Sequence, residues 1–447
     1  MKSLLVATAL ASSLNWTSQA QANESPESGT LILENANVVD VSNGTVLNGR
    51  SVIIKDGKIQ SILSAADKAI PGKRVNLQGQ YVVPGFNDMH AHPLNWEKPA
   101  KFHSQMLSYG VTGYRQMSGS DALLKTRKDG GNLTPGDSPD LLALSGEILS
   151  GMNTRSVEEG KKLIENQKAL GADFIKVVDM APDVYVGVIK EASRQGLPAS
   201  GHMPMAVPTE VASASGLKSF EHFGAGAAEM LDCSSQEDNI RQKMAAQAKA
   251  NADAPVQDDH GHQAAAAGDS QGMMPMLLAN PMAFLPKEGF QVFQIINSTF
   301  DEKRCSELGK LLSKNKTWHV PTLIRLRTMM LNTAPEYTKN PLLSLMDEAN
   351  VKLWKKVSEK HDGIYSAQDK QTLKEIYSRY ETMTRLFDKQ GVPMATGSDF
   401  GGSWLLAGSS LHEEFDLLEH AGLSPLKVLQ MTSINSAQML THSPRLP

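Results

Sequence analysis

The chain has 447 residues, of which 40% are hydrophobic and 21% charged, and its formal net charge is −4. This length exceeds one compact domain of typical size and predicts a large domain with a small appendage. The weakly negative charge, with no long run of Lys or Arg, argues against nucleic acid as a partner.

Residues 1–22 have the pattern of a secretory signal peptide. Met1-Lys2 gives a basic start, Leu4 to Leu14 form an apolar stretch too short to span a bilayer, and Ala20-Gln21-Ala22 is a small-x-small cleavage motif. We expect cleavage before Asn23 and a periplasmic or secreted mature protein, with a buried N-terminal helix as the alternative. Because no later apolar run is long enough to span a membrane, no membrane contact is expected after cleavage.

Residues 23–83 are expected to form a small β-sandwich domain. Short apolar, β-branched segments follow one another from Thr30, and the segment Val52–Ile59 contains Asp56-Gly57, a pair typical of hairpin turns.

From residue 84 to residue 440 the chain alternates short apolar segments with longer polar, helix-like stretches. This alternation predicts repeated βα units around a parallel sheet. Eight such units close a TIM-like barrel, so the predicted fold class is α/β with a (β/α)8 main domain. The eight predicted strand segments are Phe86–His92, Thr112–Met117, Leu141–Glu147, Phe174–Asp179, Pro198–His202, Ser219–His222, His319–Leu323 and Met394–Asp399.

Two further segments interrupt this pattern. Residues 234–286 have the composition of an irregular insertion, and both a lid and a disordered spacer are compatible with it. Residues Leu342–Lys389 predict a charged helical pair. The two cysteines, Cys233 and Cys305, can form a disulfide in an oxidising compartment, although two unpaired buried thiols fit the sequence equally well.

Histidines and one aspartate recur at the ends of the predicted strands. His90 and His92 are two residues apart, so on a strand their imidazoles project from one face and can bind one metal ion. His202, His222 and Asp399 each end a later segment, and strand ends gather at the mouth of a barrel. Taken singly, the histidines could be buried core residues and Asp399 a helix N-cap. Their joint position favours a metal site.

This order of ligands resembles the amidohydrolase superfamily, in which a lysine on the fourth strand, here Lys176, completes the set. Val82–His90 and Gly110-Val111-Thr112 are similar to the family's first two strand signatures. The chain is most similar to the imidazolonepropionase-related branch, and within it to exported Xaa-Pro dipeptidase-like members. The narrower similarity is carried by Glu221-His222-Phe223, Cys233-Ser234-Ser235 and Val320-Pro321-Thr322-Leu323.

The resemblance implies a site with two divalent metal ions, expected to be zinc. His90, His92 and Asp399 would hold the more buried ion, His202 and His222 the more exposed one, and Lys176, carboxylated by carbon dioxide, would bridge them. A water shared by the ions would have a lowered pKa and supply hydroxide, with Asp399 as general base.

The expected reaction is hydrolysis of an amide bond in a small peptide or an N-acyl amino acid. Tyr185, Arg115 and Arg325 lie near strand ends and are candidates for binding a substrate carboxylate, although pairing with nearby acids is the other interpretation of both arginines. His260 and His262, in the insertion, are not expected to bind metal.

Three other interpretations stay open. The same site could open a cyclic amide, a lactone or a phosphotriester. In the second interpretation, the chain is a non-catalytic periplasmic protein that binds a metal or a peptide. Asp399 argues against this interpretation, since pure binding needs no general base. Third, relatives continue into strands that complete the small domain, whereas here a short tail, residues 441–447, follows the last helix. Without these strands the sheet of the small domain would have an open edge with unpaired backbone groups. In this third interpretation the chain is a structurally compromised pseudoenzyme. Side-chain preference and the formation of a homo-oligomer are left open.

Overall fold

A computed structural model of the chain describes residues 29–253 and 270–441. The chain divides between Val83 and Pro84 into two compact units. The predicted signal peptide lies outside the described residues, as do His260 and His262. Within the described ranges, no helix is long and apolar enough to cross a membrane.

The first unit contains one mixed sheet with the strand order β3-β2-β1-β4, in which β5 also pairs with β1. Asp56 and Gly57, with φ of 51° and 73°, form the predicted hairpin turn in the left-handed conformation that such turns need. The prediction of a small β-sandwich is wrong for the described residues, because all the strands join one sheet through β1 and β2. The strands are β1 (Thr30–Asp40), β2 (Thr45–Lys55), β3 (Lys58–Leu63), β4 (Lys73–Asn76) and β5 (Tyr81–Val82).

The second unit contains two parallel sheets, of order β6-β7-β8 and β12-β11-β10-β9. Seven of the eight predicted strand segments are strands here, so the mixed α/β class is confirmed. These strands are β6 (Phe86–Ala91), β7 (Val111–Gln116), β8 (Asp140–Leu144), β9 (Ile175–Val177), β10 (Ala199–Gly201), β11 (Leu217–Glu221) and β12 (Trp318–Val320).

Single parallel bridges connect the two sheets. Ser145 bridges to Phe174 between β8 and β9. The eighth predicted strand, Met394–Asp399, pairs through single bridges rather than a ladder. Met394 forms a bridge with His319 on β12, and Phe400 forms one with Ala91 on β6. The segment 394–400 therefore lies between β12 and β6.

Helices connect these strands and cover them. The predicted helical pair is present as α14 and α15, and Ser366 and Asp369 form a capping box that begins α15. The helices are α1 (Pro99–Ser108), α2 (Asp121–Lys128), α3 (Val157–Leu170), α4 (Pro182–Arg194), α5 (Thr209–Ala214), α6 (His222–Ala225), α7 (Ala227–Asp232), α8 (Glu237–Asp253), α9 (Ser270–Ala279), α10 (Lys287–Ser298), α11 (Glu302–Asn315), α12 (Leu323–Met330), α13 (Pro335–Thr338), α14 (Glu348–Ile364), α15 (Ala367–Lys389), α16 (Ser409–His420), α17 (Pro425–Thr432) and α18 (Ile434–Leu440).

The described parts of the insertion are ordered into helices, the first of which covers the alanine-rich polar stretch that the sequence predicts as helical. Helices α8 and α9 lie within it, and a short 3-10 helix, Pro281–Phe284, follows α9. Cys233 and Cys305 are joined in a disulfide, with their Cα atoms 4.6 Å apart, and it brackets the insertion.

One buried cluster combines side chains from several parallel segments. Met89 of β6, Val320 of β12 and Ala395 of the eighth segment pack together with Met117 and Phe174. These residues come from segments on both sheets, while the larger cluster packs the helices against β9 to β11.

Candidate metal centre

Five of the predicted ligands lie at the carboxyl ends of parallel segments. His90 is in β6 and His92 follows it, His202 follows β10, His222 follows β11, and Asp399 is in the segment 394–400. Ligand atoms of His90, His222 and Asp399 lie within 4.8 Å of one another, and this is the group of potential metal-binding side chains found in the described ranges. The folded chain therefore brings together residues that are up to 309 positions apart.

Asp399 is at the centre of this group. Its Oδ1 lies 3.0 Å from His92 Nε2 and 3.3 Å from His90 Nε2. Its Oδ2 lies 3.5 Å from His222 Nε2 and 3.1 Å from Arg325 Nε. Burial alone would raise the pKa of Asp399, but the neighbouring imidazoles and the guanidinium outweigh it and hold that pKa well below its usual range.

A buried carboxylate orients His90. Glu221 is inaccessible to solvent, and its Oε2 accepts a hydrogen bond of 2.7 Å from His90 Nδ1. Its other oxygen accepts from Arg115 at 2.7 Å and from Ser219 at 2.6 Å. Because Nδ1 carries the proton, the lone pair of His90 Nε2 faces Asp399, as a metal ligand requires.

A hydroxyl orients His222 in the same way. Thr322 Oγ1 donates its one proton to Pro321 O at 2.8 Å, so it must accept the short hydrogen bond from His222 Nδ1. The Nε2 lone pair of His222 then faces Asp399. Both histidines therefore present the atom that a metal ion needs.

Lys176 has the environment of a reactive amine. Its side chain is buried, and Nζ has no hydrogen-bond partner among the described residues. Burial lowers the pKa of Lys176 to about 8, against the opposing attraction of Glu221 and Asp399. Burial, together with the charge of Lys176, also holds the pKa of His90 and His202 well below the usual range, which keeps these imidazoles neutral.

His202 borders the group on the side of β10. Its ring centroid lies 5.2 Å from that of His222, and Tyr185 donates a 2.7 Å hydrogen bond to its carbonyl oxygen. Gly201, which precedes it, has a φ of +148°, and a Cβ there would lie 1.9 Å from Val177 O. Only glycine fits at this position, because the two strands approach so closely.

The backbone at the strand ends adopts an uncommon conformation. His222, Thr322 and Asp399 have φ of 52°, 45° and 53°, in the left-handed region that non-glycine residues rarely occupy. Such residues concentrate at functional sites, where the surrounding structure holds them in place.

The structure distinguishes between the three weaker substrate-binding candidates. Arg115 is 3% exposed, and it donates hydrogen bonds of 2.7 Å to Glu221 and to Met89 O. It therefore pairs with a nearby acid, the alternative to binding a substrate. Tyr185 is fully buried behind His202. Arg325 contacts Asp399 and so lies in the site itself.

Sequence reasoning missed three supporting residues: Glu221, Thr322 and Asp88. Asp88 accepts hydrogen bonds from the backbone and the side chain of Ser398, at 3.0 and 2.5 Å, and so joins β6 to the eighth segment. Glu221 directly precedes His222, Thr322 lies one residue before the end of a predicted strand segment, and Asp88 lies two residues before His90. A search for polar residues beside the ligands would have found Glu221 and Asp88.

The donor set fits a divalent first-row metal ion. Neutral imidazoles and a carboxylate are the ligands that zinc takes in proteins. The buried Lys176 side chain supplies no such donor while it is protonated, because an ammonium group has no lone pair.

Comparison with known proteins supports the fold. No family model matches the chain. It is 32% identical over 84 residues to an adenine deaminase of Cenarchaeum symbiosum (strain A), which is 18% of this chain and 14% of that protein. It is 26% identical over 200 residues to adenine deaminase 2 of Desulfotalea psychrophila (strain LSv54 / DSM 12343), which is 41% of this chain and 33% of that protein. The chain thus matches a third or less of the length of these relatives.

Solved structures cover nearly the whole chain. The bottromycin amidohydrolase has a TM-score of 0.63 at 18% identity and covers 92% of this chain and 78% of its own. An Xaa-Pro dipeptidase with methionine in its active site has a TM-score of 0.55 at 14% identity, covering 93% and 89%. The predicted resemblance to amidohydrolases, including Xaa-Pro dipeptidase-like proteins, is confirmed at the level of the fold.

Proposed function

We propose that the chain is a metal-dependent hydrolase that cleaves amide bonds of small peptides or N-acyl amino acids, as an Xaa-Pro dipeptidase-like enzyme. The observation that carries this proposal is the convergence of His90, His222 and Asp399 within 4.8 Å beside the buried Lys176 amine, which has no hydrogen-bond partner among the described residues. The amidohydrolase and dipeptidase folds among the structural neighbours support it.

The ring of parallel segments is interpreted as a (β/α)8 barrel. The segment 394–400 bridges β12 on one side and β6 on the other, and bridges between Ser145 and Phe174 join the remaining gap. In such a barrel the ligands at the strand ends share the mouth where catalytic groups gather.

Two ions are assigned to the site by the proposal. His90, His92 and Asp399 would hold one, and His202 and His222 the other. When bound, zinc supplies Lewis acidity, which lowers the pKa of water and polarises a carbonyl.

Lys176 would become the bridging ligand after carboxylation. The neutral amine nitrogen would attack carbon dioxide, form an N–C bond and release one proton, leaving an anionic carbamate. The pKa of about 8 leaves a useful fraction of neutral amine near neutral pH, and the absence of a hydrogen-bond partner in the described structure leaves Nζ free to react.

Asp399 is proposed to move the proton during hydrolysis. Its carboxylate would accept a proton from the attacking water and pass it to the leaving amine. Its low pKa keeps it ionised before the reaction, and contacts to both of its oxygens fix its orientation.

Export is part of the proposal. The pattern of residues 1–22 predicts a signal peptide, and the disulfide between Cys233 and Cys305 is typical of an oxidising compartment such as the periplasm.

The test is hydrolysis of a defined mixture of dipeptides, read by mass spectrometry. The samples are mature protein purified with zinc and bicarbonate, an Asp399→Asn variant and an Asp388→Asn variant. Asp388→Asn is the matched control, because Asp388 on α15 pairs with Lys427 on α17. Cleavage of a subset by the wild type and the control alone supports the proposal. No cleavage by folded protein that carries two metal ions contradicts it and directs the search to lactones, cyclic amides and phosphotriesters.

A further inference from the structure

Arg325 joins the insertion to the candidate general base. It is 6% exposed, lies on α12, and its Nε is 3.1 Å from Asp399 Oδ2. Its two terminal nitrogens donate to the carbonyl oxygens of Ala279, at 2.7 Å, and Leu278, at 2.9 Å. These are the last carbonyls of α9, so one guanidinium caps a helix end and contacts a carboxylate.

Protein groups already engage three of the five N–H donors of the Arg325 guanidinium. Each of its three nitrogens already has a partner, and a Cβ at Gly402 would lie 2.1 Å from Nη1. A substrate carboxylate would therefore compete with contacts that are already made in a buried position.

The end of α9 is itself anchored. Ser403 N donates to Ala279 O at 3.0 Å, and the buried Asn280 donates to Met329 O at 3.0 Å. Asn280 also accepts a hydrogen bond from Met282 N, at 2.9 Å. Because these contacts fix the carbonyls that Arg325 binds, they also fix the direction in which its Nε points.

We propose that Arg325 is a positioning residue, which aligns the Asp399 carboxylate by connecting it to the end of α9 and so makes this helix end part of the active site. The inference rests on the proposed function. The planar guanidinium fixes three directions at once, which a lysine ammonium on a flexible chain cannot reproduce.

The test compares three variants with the wild type. Arg325→Lys keeps the charge but loses the planar donor geometry, and Gly402→Ala places a methyl group where the guanidinium lies and so displaces it. Arg327→Gln is the matched control, since Arg327 lies on the same helix but pairs with Glu336 at 3.0 Å. The readouts are kcat and KM for a cleaved dipeptide and for its C-terminal amide, and hydrogen exchange of peptides covering residues 270–283.

Both test variants should lose kcat by about 10- to 100-fold with little change in KM, which is the range seen when residues that orient a ligand are replaced. The loss should be equal for the free acid and the amide, exchange in α9 should accelerate, and the control should match the wild type. Circular dichroism and thermal unfolding confirm that each variant is folded.

Three results overturn the inference. An unchanged kcat shows that Asp399 needs no alignment by Arg325, and unchanged exchange in α9 shows that the helix end is held without it. A rise in KM confined to the free acid makes Arg325 a ligand of the substrate carboxylate instead. If the wild type cleaves no dipeptide, the proposed function fails, whereas the exchange measurement still decides whether Arg325 holds α9.

Discussion

Replacing Glu221 by glutamine tests the orientation of His90 directly. Glu221 is inaccessible to solvent and balances the buried Arg115 guanidinium, 2.7 Å away, while its other oxygen fixes the His90 proton on Nδ1. Glutamine has nearly the same shape but carries no charge. It therefore leaves Arg115 without its counterion, and its amide can turn an N–H towards His90 Nδ1.

The two consequences have different magnitudes. Removing one partner of a buried ion pair costs about 3–5 kcal/mol of unfolding free energy. If the amide donates to His90 Nδ1, the ring proton moves to Nε2 and the lone pair that would face a metal ion is lost. We expect zinc affinity to fall by about 10- to 100-fold, as when a residue behind a metal ligand is replaced.

The free energy of unfolding is measured by titrating chelator-treated protein with guanidinium chloride. Zinc affinity is measured separately, by competition with a chromophoric chelator. Glu307→Gln serves as the control, because Glu307 forms an exposed pair with Lys310 and should leave both quantities unchanged. Equal stability and equal zinc affinity for Glu221→Gln and wild type would refute the reasoning. Reduced stability with unchanged affinity would refute only the link to His90.

Three further predictions follow from buried groups. Lys176→Gln should fold but bind fewer zinc ions per chain, measured by atomic absorption; wild-type stoichiometry would contradict the bridging role. Burial raises the pKa of Glu414 to about 8 from its ordinary value of 4.5, so stability should fall as pH rises through this interval, where the unfolded chain loses a proton that the folded chain keeps. The free energy of unfolding of Glu414→Gln should equal that of the wild type at about pH 4. At about pH 9 it should be higher by a few kcal/mol, since one pKa unit is about 1.4 kcal/mol. A gain independent of pH would show that the raised pKa of Glu414 is not its cause. The Cys233–Cys305 disulfide closes a loop of sequence separation 72, so reduction should cost about 4 kcal/mol in denaturant titrations, and a double serine variant should not respond to reductant.

The sequence located the candidate ligands because each lies at the end of a short apolar segment, and such ends converge in any parallel αβ arrangement. Spacing alone gave His90 and His92 a common face, and strand order supplied His202, His222 and Asp399. The eighth segment was predicted as a strand but pairs through single bridges, and its backbone enters the left-handed region at Asp399.

The residues that support the ligands were harder to predict because their roles depend on long-range burial. Nothing local to Arg115 distinguishes an arginine enclosed by Glu221, which is 106 positions away, from one that faces a substrate. Likewise the contact between Arg325 and Ala279 spans 46 positions and requires α9, in a segment whose composition predicts irregular structure.

The charges around Lys176 give a physical reason for its modification. With Lys176 protonated, three cations, Lys176, Arg115 and Arg325, face the two carboxylates Glu221 and Asp399, so the buried cluster has an excess positive charge. Such a cluster repels a divalent cation, and a buried uncompensated charge is costly in itself. Carboxylation converts the lysine from a cation into an anion and gives the same five groups a net negative charge. The two metal ions and the carbamate are thus expected to bind together, each removing the electrostatic obstacle to the other. For this reason zinc binding by the wild type should depend on bicarbonate, whereas the weaker binding by Lys176→Gln should not.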